Sequence, residues 1–298
     1  MRYLCLTLAL LGACEPAPPA TDGSAPSCTE GDRRTGLLTS LKFSRPDDQG
    51  RIAGFDLDGA VTAPGDATGC GRKDDVGVDG VGGVDASFNA LLPALELTEG
   101  AALEEIIQTL INNGEVLILW DLHGIDDAQQ DECVTLDVLR GTGAPTIGGR
   151  GFINPGQTFD LDPDDVPVHL TDLKIEDGTV TASGFPFSIP FSFLDANINV
   201  TLQDLSMRVE LHEDGTFSGV MGGGIVVEDL VAQLETTGVS SEVKGLIRSA
   251  MSAGADLAPD ELGNCTEMSA SIGFEGVSAF LFDAPPVDTG TRADTDTP

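Results

Sequence analysis

Through much of the stretch 185–211 the apolar residues recur at every second position. Phe185, Phe187, Ile189, Phe191 and Phe193 alternate with Pro186, Ser188, Pro190 and Ser192. A period of two sends one side chain to the core and the next away from it, which is the geometry of a strand. Proline has no amide proton to give a ladder, so this strand is expected at a sheet edge. Ile198, Val200 and Leu202 alternate in turn; the phase slips at Gln203-Asp204, and Leu205, Met207, Val209 and Leu211 resume it. A β-bulge at the slip keeps both sets facing one core.

Turn dipeptides bracket these strands. Asp177-Gly178 separates strand signals at 168–176 and 179–182, and Asp214-Gly215 leads into another at 216–221. Both suit hairpins, because Asp and Gly tolerate a left-handed backbone. Further strand signals lie at 38–44, 51–57 and 268–282, the last interrupted at Glu275-Gly276. The segment 115–122, EVLILWDL, is nearly all apolar and reads as a central strand buried on both faces.

Helices are fewer. Leu103, Ile106, Ile107, Leu110 and Ile111 form one apolar stripe over 101–113. Glu104 and Glu105 suit the positive end of that helix, and Gly114 can take a left-handed C-cap. A weaker signal covers 85–95, where Pro93 limits the C-terminus. Gly222-Gly223-Gly224 reads as a tight strand-to-helix turn into 227–235, and 241–253 carries Val243, Leu246, Ile247 and Met251 on one stripe. The expected class is α+β, mostly β: an antiparallel β-sandwich or curved sheet with three or four packed helices.

The N-terminus addresses the chain elsewhere. Arg2 precedes a short apolar core, residues 3–11. Nine residues of helix span about 14 Å, against about 30 Å of bilayer hydrocarbon, so a signal peptide over 1–13 fits better than a spanning helix. Leu11-Gly12-Ala13-Cys14 looks like a bacterial lipobox. The resemblance implies cleavage before Cys14, glyceride on its thiol and an acylated amine, palmitate being the usual label. Two or three acyl chains hold a bilayer far better than one. Glu15 follows, where an Asp would retain many lipoproteins at the inner membrane, so the resemblance points to the outer membrane. Residues 14–27, rich in Pro, Ala and Ser, read as a lipidated Cys and its tether. Residues 284–298 read as a disordered tail. A single body of 28–283 is left, long enough for one large core.

Acids number 49 against 15 bases, for a formal charge of −34. Nucleic-acid binding, which needs a surplus of Lys and Arg, is excluded. Of the six Cys, Cys5 leaves with the signal and Cys14 becomes the anchor. Cys28, Cys70, Cys133 and Cys265 remain in an exported chain and are expected to form two disulfides, with three connectivities open. Cys70–Cys133 and Cys28–Cys265 is the pairing favoured, because Cys70 and Cys133 each lie in an acidic loop.

Between Phe55 and Ala86 stand seven Asp and no Glu, in a Gly-dense setting. Short carboxylates on a flexible backbone suit calcium, which takes 6–8 oxygens. Asp56, Asp58, Asp75, Asp79 and Asp85 are the candidate ligands. Asp75-x-Gly77-x-Asp79-Gly80 resembles the start of an EF-hand loop but lacks its third-position and twelfth-position ligands. Further acids cluster at Asp121, Asp126, Asp127, Asp131 and Glu132, and at Asp160, Asp162, Asp164 and Asp165. The bland alternative for all of them is a solvated surface.

No HxH, HExxH, GxSxG, GxGxxG or P-loop pattern occurs. His123 is the one His with suggestive company, in WDLHGIDD, where a His–Asp pair could serve a hydrolytic Ser or hold a metal. His169 and His212 fall within strand signals and have no acidic cluster that singles them out.

Several segments together resemble a group of lipobox-bearing exported lipoproteins of predatory and social, myxobacteria-like bacteria, to which no activity is attached. They are Gly54-Phe-Asp-Leu-Asp-Gly59, the Cys70…Asp79-Gly80…Gly83-Val-Asp85 stretch, Gly124-Ile-Asp-Asp127…Cys133-Val134, Gly156-Gln-Thr-Phe159 and Gly219-Val-Met-Gly-Gly-Gly224. The resemblance implies that the acidic loops and the Cys residues form one architectural unit. It transfers no catalytic residue, and members often carry Val-Asp-Asn where this chain has Val84-Asp85-Ala86. The leading expectation is a lipid-anchored envelope protein with a non-enzymatic module that binds or adheres to a protein or glycan, stabilised by calcium. The alternatives are an exported hydrolase using His123 with an Asp, and a carrier of an apolar ligand.

Overall fold

The computed structural model describes residues 28, 30–66, 68–93, 103–193, 196–238 and 240–282. Signal peptide, Cys14, tether and tail lie outside them. Thirteen strands and three α-helices are defined among the described residues. Eight long strands build the body: β1 (Asp32–Phe43), β5 (Ile118–Ile125), β6 (Gln130–Thr142), β8 (Val168–Glu176), β9 (Thr179–Phe193), β10 (Ala196–Leu211), β11 (Phe217–Val226) and β13 (Cys265–Leu281).

These eight close on themselves. The order β1-β5-β6-β8-β9-β10-β11-β13 returns to β1, and each neighbouring pair is antiparallel. The mostly-β expectation holds, but the sheet is an eight-stranded barrel and not a sandwich. Closure gives each of the eight strands two neighbours and lets one apolar set fill the centre. β7 (Gln157–Leu161) lies parallel to the end of β13, and β12 (Leu257–Pro259) pairs with its start. A separate small sheet joins β2 (Arg51–Ile52), β3 (Asp75–Gly77) and β4 (Gly82–Val84). The strand expected over 51–57 is therefore only two residues long.

The period-two reading is visible in β10. Its register shifts between Gln203 and Ser206, with Asp204 at φ 46°, so Leu202 and Leu205 are both fully buried. Asp177 and Gly178, at φ 50° and 74°, turn the hairpin between β8 and β9. β9 pairs with β8 only through Thr179 and Val180, while its other side pairs with β10 along its length. Pro186 and Pro190 lie beyond the β8 pairing, so the edge expectation holds locally even though β9 has two neighbours.

Other readings are corrected. Gly222–Gly224 is no turn: the three glycines continue β11 against Ser271, Ala270 and Ser269 of β13. A Cβ on Gly224 would come within 2.1 Å of the Glu267 carboxylate, and one on Gly223 within 2.8 Å of the Gln203 carbonyl beside the bulge. Crowding, and not a turn, requires glycine there. β13 runs unbroken through Glu275-Gly276, where the irregularity belongs to β1 across from it, between Leu38 and Ser40. Of the helix expected over 85–95, the described residues show a 3-10 turn at Asn89–Leu91 followed by helical Leu92 and Pro93, and residues 94–102 lie outside the described ones.

The helices form where expected, α1 (Leu103–Asn113), α2 (Val227–Glu235) and α3 (Ser241–Gly254), but the α3 stripe holds only in part: Met251 is buried and Ile247 half-buried, while Leu246 points to solvent. α1 buries Ile107, Leu110 and Ile111 and packs on β1. α2 and α3 pack on each other and on β13. The barrel centre is filled by apolar side chains, among them Leu38, Leu136, Phe185, Met207 and Phe274, around a space of about 40 Å³.

Both disulfides form, but with the other partners: Cys28–Cys133 and Cys70–Cys265. Cys133 sits in β6, where the Thr135 hydroxyl donates to the Cys28 carbonyl at 3.0 Å, so Cys28 is fixed across that strand. Cys70 lies in a 3-10 turn beside the loop that precedes β13. Proximity in the barrel, which loop acidity does not report, decided the pairing.

Candidate functional site

Two groups of ionisable side chains stand out. The first gathers three of the five expected calcium ligands. One carboxylate oxygen from each of Asp56, Asp58 and Asp85 lies within 4.8 Å of the others. The chain builds this nest by curling. Asp56 Oδ1 accepts the amide protons of Gly59 (2.7 Å) and Ala60 (3.1 Å), and Asp58 Oδ1 accepts that of Ala60 at 2.8 Å. Gly83 faces them at φ 103°, and a Cβ there would stand 3.1 Å from Asp56 Oδ2. Glycine is required by both the backbone angle and the close approach.

Asp85 follows β4 directly and is 3% exposed. Its Oδ2 accepts the Leu57 amide proton at 2.7 Å. Burial, with like charge from Asp58, Asp74 and Asp256, pushes its carboxyl up to about 8. Asp74 accepts the Thr62 amide proton at 2.5 Å and is also raised, chiefly by burial. Asp256, held by the Ser269 amide and hydroxyl, is pushed by burial to about 6. Among the described residues no Lys, Arg or His pairs with any of these five carboxylates.

Asp75 and Asp79 are not brought to this nest. Asp79 Oδ1 accepts the Val81 amide proton at 2.9 Å and closes the turn between β3 and β4. Asp75 is half-buried in β3, and burial raises its carboxyl. The EF-hand-like spacing there makes a hairpin and does not make a ligand loop.

The second group crosses four strands. Thr35 of β1, Asp121 of β5, Asp137 of β6 and His169 of β8 are successive register partners in one row. Arg33 and His123 pair on the adjoining rung. Their neighbours Trp120, Leu136 and Val138 line the barrel centre, so alternation turns Asp121 and Asp137 outward. Asp121 Oδ1 accepts from Arg33 Nε at 2.7 Å and from the Thr35 hydroxyl at 2.9 Å. Asp137 binds two imidazoles: Oδ2 lies 3.1 Å from His123 Nε2, and Oδ1 lies 2.5 Å from His169 Nδ1.

His123 thus has its acidic partner, but the partner is Asp137 of the next strand and not an Asp of its own loop. Asp137 and His169 escaped the sequence reading. The signal was available: Asp137 interrupts the apolar run Val134-Thr-Leu-Asp-Val-Leu139. Among the described residues, neither His123 nor His169 hydrogen-bonds a Ser or Thr hydroxyl, although Thr135 is the register partner of His123. His212 bonds the Ser218 hydroxyl at 3.0 Å, apart from this row. No protein-family model, no curated protein and no solved structure matches this chain.

Proposed function

We propose that this chain is a lipid-anchored protein of the bacterial envelope, moored through Cys14 at the outer membrane, whose barrel is a non-enzymatic binding or adhesion module braced by calcium. The observation that carries the calcium part of the reading is Asp85: a carboxylate 3% exposed, near Asp56 and Asp58, with no cationic side chain paired to any of the three among the described residues. Asp56 and Asp58 are exposed, but a buried carboxylate such as Asp85 beside them is costly to ionise unless a cation compensates it or it stays protonated. Calcium supplies that compensation with an oxygen-only ligand set.

Two disulfides agree with an oxidising compartment outside the cytosol. The barrel centre favours a binding surface over an apolar carrier, since about 40 Å³ is far below the roughly 300 Å³ at which ligand pockets begin. The hydrolase alternative draws on the His123–Asp137 contact; against it, the hydroxyl of Thr135, the cross-strand partner of His123, is given to the Cys28 carbonyl.

The test is membrane fractionation of cells fed labelled palmitate. The wild-type chain is expected to carry label and sediment with membranes, and Cys14→Ser to lose both. An unlabelled wild-type chain, or a Cys14→Ser chain still in the pellet, defeats the anchor.

A further inference from the structure

We propose that Asp121, His123 and Asp137 form a binding site for a divalent transition-metal ion of the Zn²⁺ class, distinct from the all-carboxylate nest. One ligand atom from each of the three lies within 4.8 Å of the other two, with His123 Nε2 and Asp137 Oδ2 already at 3.1 Å. Four ligands placed tetrahedrally about zinc at roughly 2.0–2.2 Å stand about 3.4 Å apart, so only small side-chain shifts are needed. An imidazole with two carboxylates suits zinc or a neighbouring transition ion, whereas calcium takes oxygens alone.

The groups around the three ligands make this more than a chance cluster. Arg33 Nε and the Thr35 hydroxyl both hold Asp121 Oδ1, which leaves Oδ2 for an ion. His169 Nδ1 holds Asp137 Oδ1, which leaves Oδ2 facing His123. As its Nδ1–H tautomer, His169 donates to that carboxylate oxygen. Each carboxylate therefore has one oxygen engaged by an outer partner, and the second oxygen of Asp137 faces His123, the arrangement that orients metal ligands.

The charges also fit. Two carboxylates and one guanidinium leave one net negative charge for a doubly charged ion when the imidazoles are neutral. The ion replaces the proton shared by His123 Nε2 and Asp137 Oδ2, and that proton is taken up at His123 Nδ1, so the imidazole stays neutral. Three protein ligands leave a fourth position for water or an external donor. His123 and Asp137 are about one-quarter and one-fifth exposed, so the position is reachable from solvent. The Cys28–Cys133 bridge fixes Cys28 to the same strand, four residues before Asp137.

The test titrates the purified full-length chain with Zn²⁺ by calorimetry, and with Co²⁺ by visible absorption. The wild-type chain is expected to take one ion per chain with micromolar affinity or better, and to give the d–d bands of a four-coordinate Co²⁺ site. His123→Ala and Asp137→Asn are expected to weaken binding at least about 100-fold, and His169→Gln about tenfold through lost orientation of Asp137. Asp85→Asn and His212→Gln are expected to bind Zn²⁺ as the wild type does, which separates this site from the calcium nest. Unchanged circular dichroism in each variant shows that it has folded. A wild-type chain that takes no Zn²⁺ overturns the proposal, as do His123→Ala and Asp137→Asn variants that are folded and bind undiminished. Loss of Zn²⁺ uptake in Asp85→Asn also overturns it, by placing the ion in the acidic loop.

Discussion

The phenyl ring of Phe217 lies over Gly276, its register partner on the neighbouring strand, so closely that a Cβ on Gly276 would fall 1.8 Å from ring atom Cζ. The indole of Trp120 covers Gly36 in the same way, with its Nε1 2.0 Å from where a Cβ would stand. The two rings meet edge to face at 4.7 Å. Large rings laid over bare glycines on adjacent strands are how this barrel fills its centre without a wider circumference. Trp120 Nε1 is buried with no hydrogen-bond partner among the described residues, and the packing of this layer offsets that loss.

Gly276→Ala should therefore destabilise the protein by about 1–3 kcal/mol, since the ring cannot move without disturbing Phe274 beside it. Gly245→Ala gives the opposite sign. Gly245 sits exposed in α3 with nothing within 4 Å of a built Cβ, so alanine should stabilise by about 0.5–1 kcal/mol. Urea unfolding of the two variants checks both; equal effects would remove the packing explanation.

Non-reducing peptide mapping should recover Cys28 joined to Cys133 and Cys70 joined to Cys265. These close loops of 105 and 195 residues. Replacing both members of either pair by Ala should cost about 2–4 kcal/mol, mainly by loosening the unfolded chain. A Cys70–Cys133 peptide would contradict the strand order itself.

Much of this barrel is legible in the amino-acid order, and the reason is local. Asp177-Gly178, the slip at Gln203-Asp204 and the stripe from Leu103 to Ile111 each announce themselves within a few residues, because turn angles and periodicity are short-range physics. Closure of the sheet is not local: nothing near β1 says that it will pair with both β5 and β13. The same limit hid the second site. His169 reaches Asp137 only through strand register, and Asp121 reaches it across another. The calcium candidates were separated by the same rule. Asp79 serves its own turn, while Asp85, distant in sequence from Asp56, is folded back onto it.

Stability should depend on pH in the direction opposite to most acid-sensitive proteins. Native Asp85, near 8, and Asp256, near 6, keep their protons to higher pH than in the unfolded chain. Between about pH 4 and 8 the unfolded state then binds fewer protons than the native one, so stability falls as pH rises. Without calcium the melting temperature should drop from pH 5 to pH 8, reflecting a loss on the order of several kcal/mol. Millimolar calcium should shrink that drop by replacing the proton as the compensating charge. A melting temperature in EDTA that is flat or rising over this range would show that the acidic nest does not carry buried charge.

Calcium titration of the wild-type chain beside Asp85→Asn, at pH 8, asks most directly whether the nest is a cation site. The wild type should bind calcium with measurable heat, release protons and melt higher. Asp85→Asn keeps an acceptor for the Leu57 amide proton but not the charge, so it should bind none and should melt above the calcium-free wild type. If millimolar calcium gives the wild type neither heat nor a shift in melting, or if Asp85→Asn binds it as well, the nest is a solvated acidic loop and calcium plays no part in this fold.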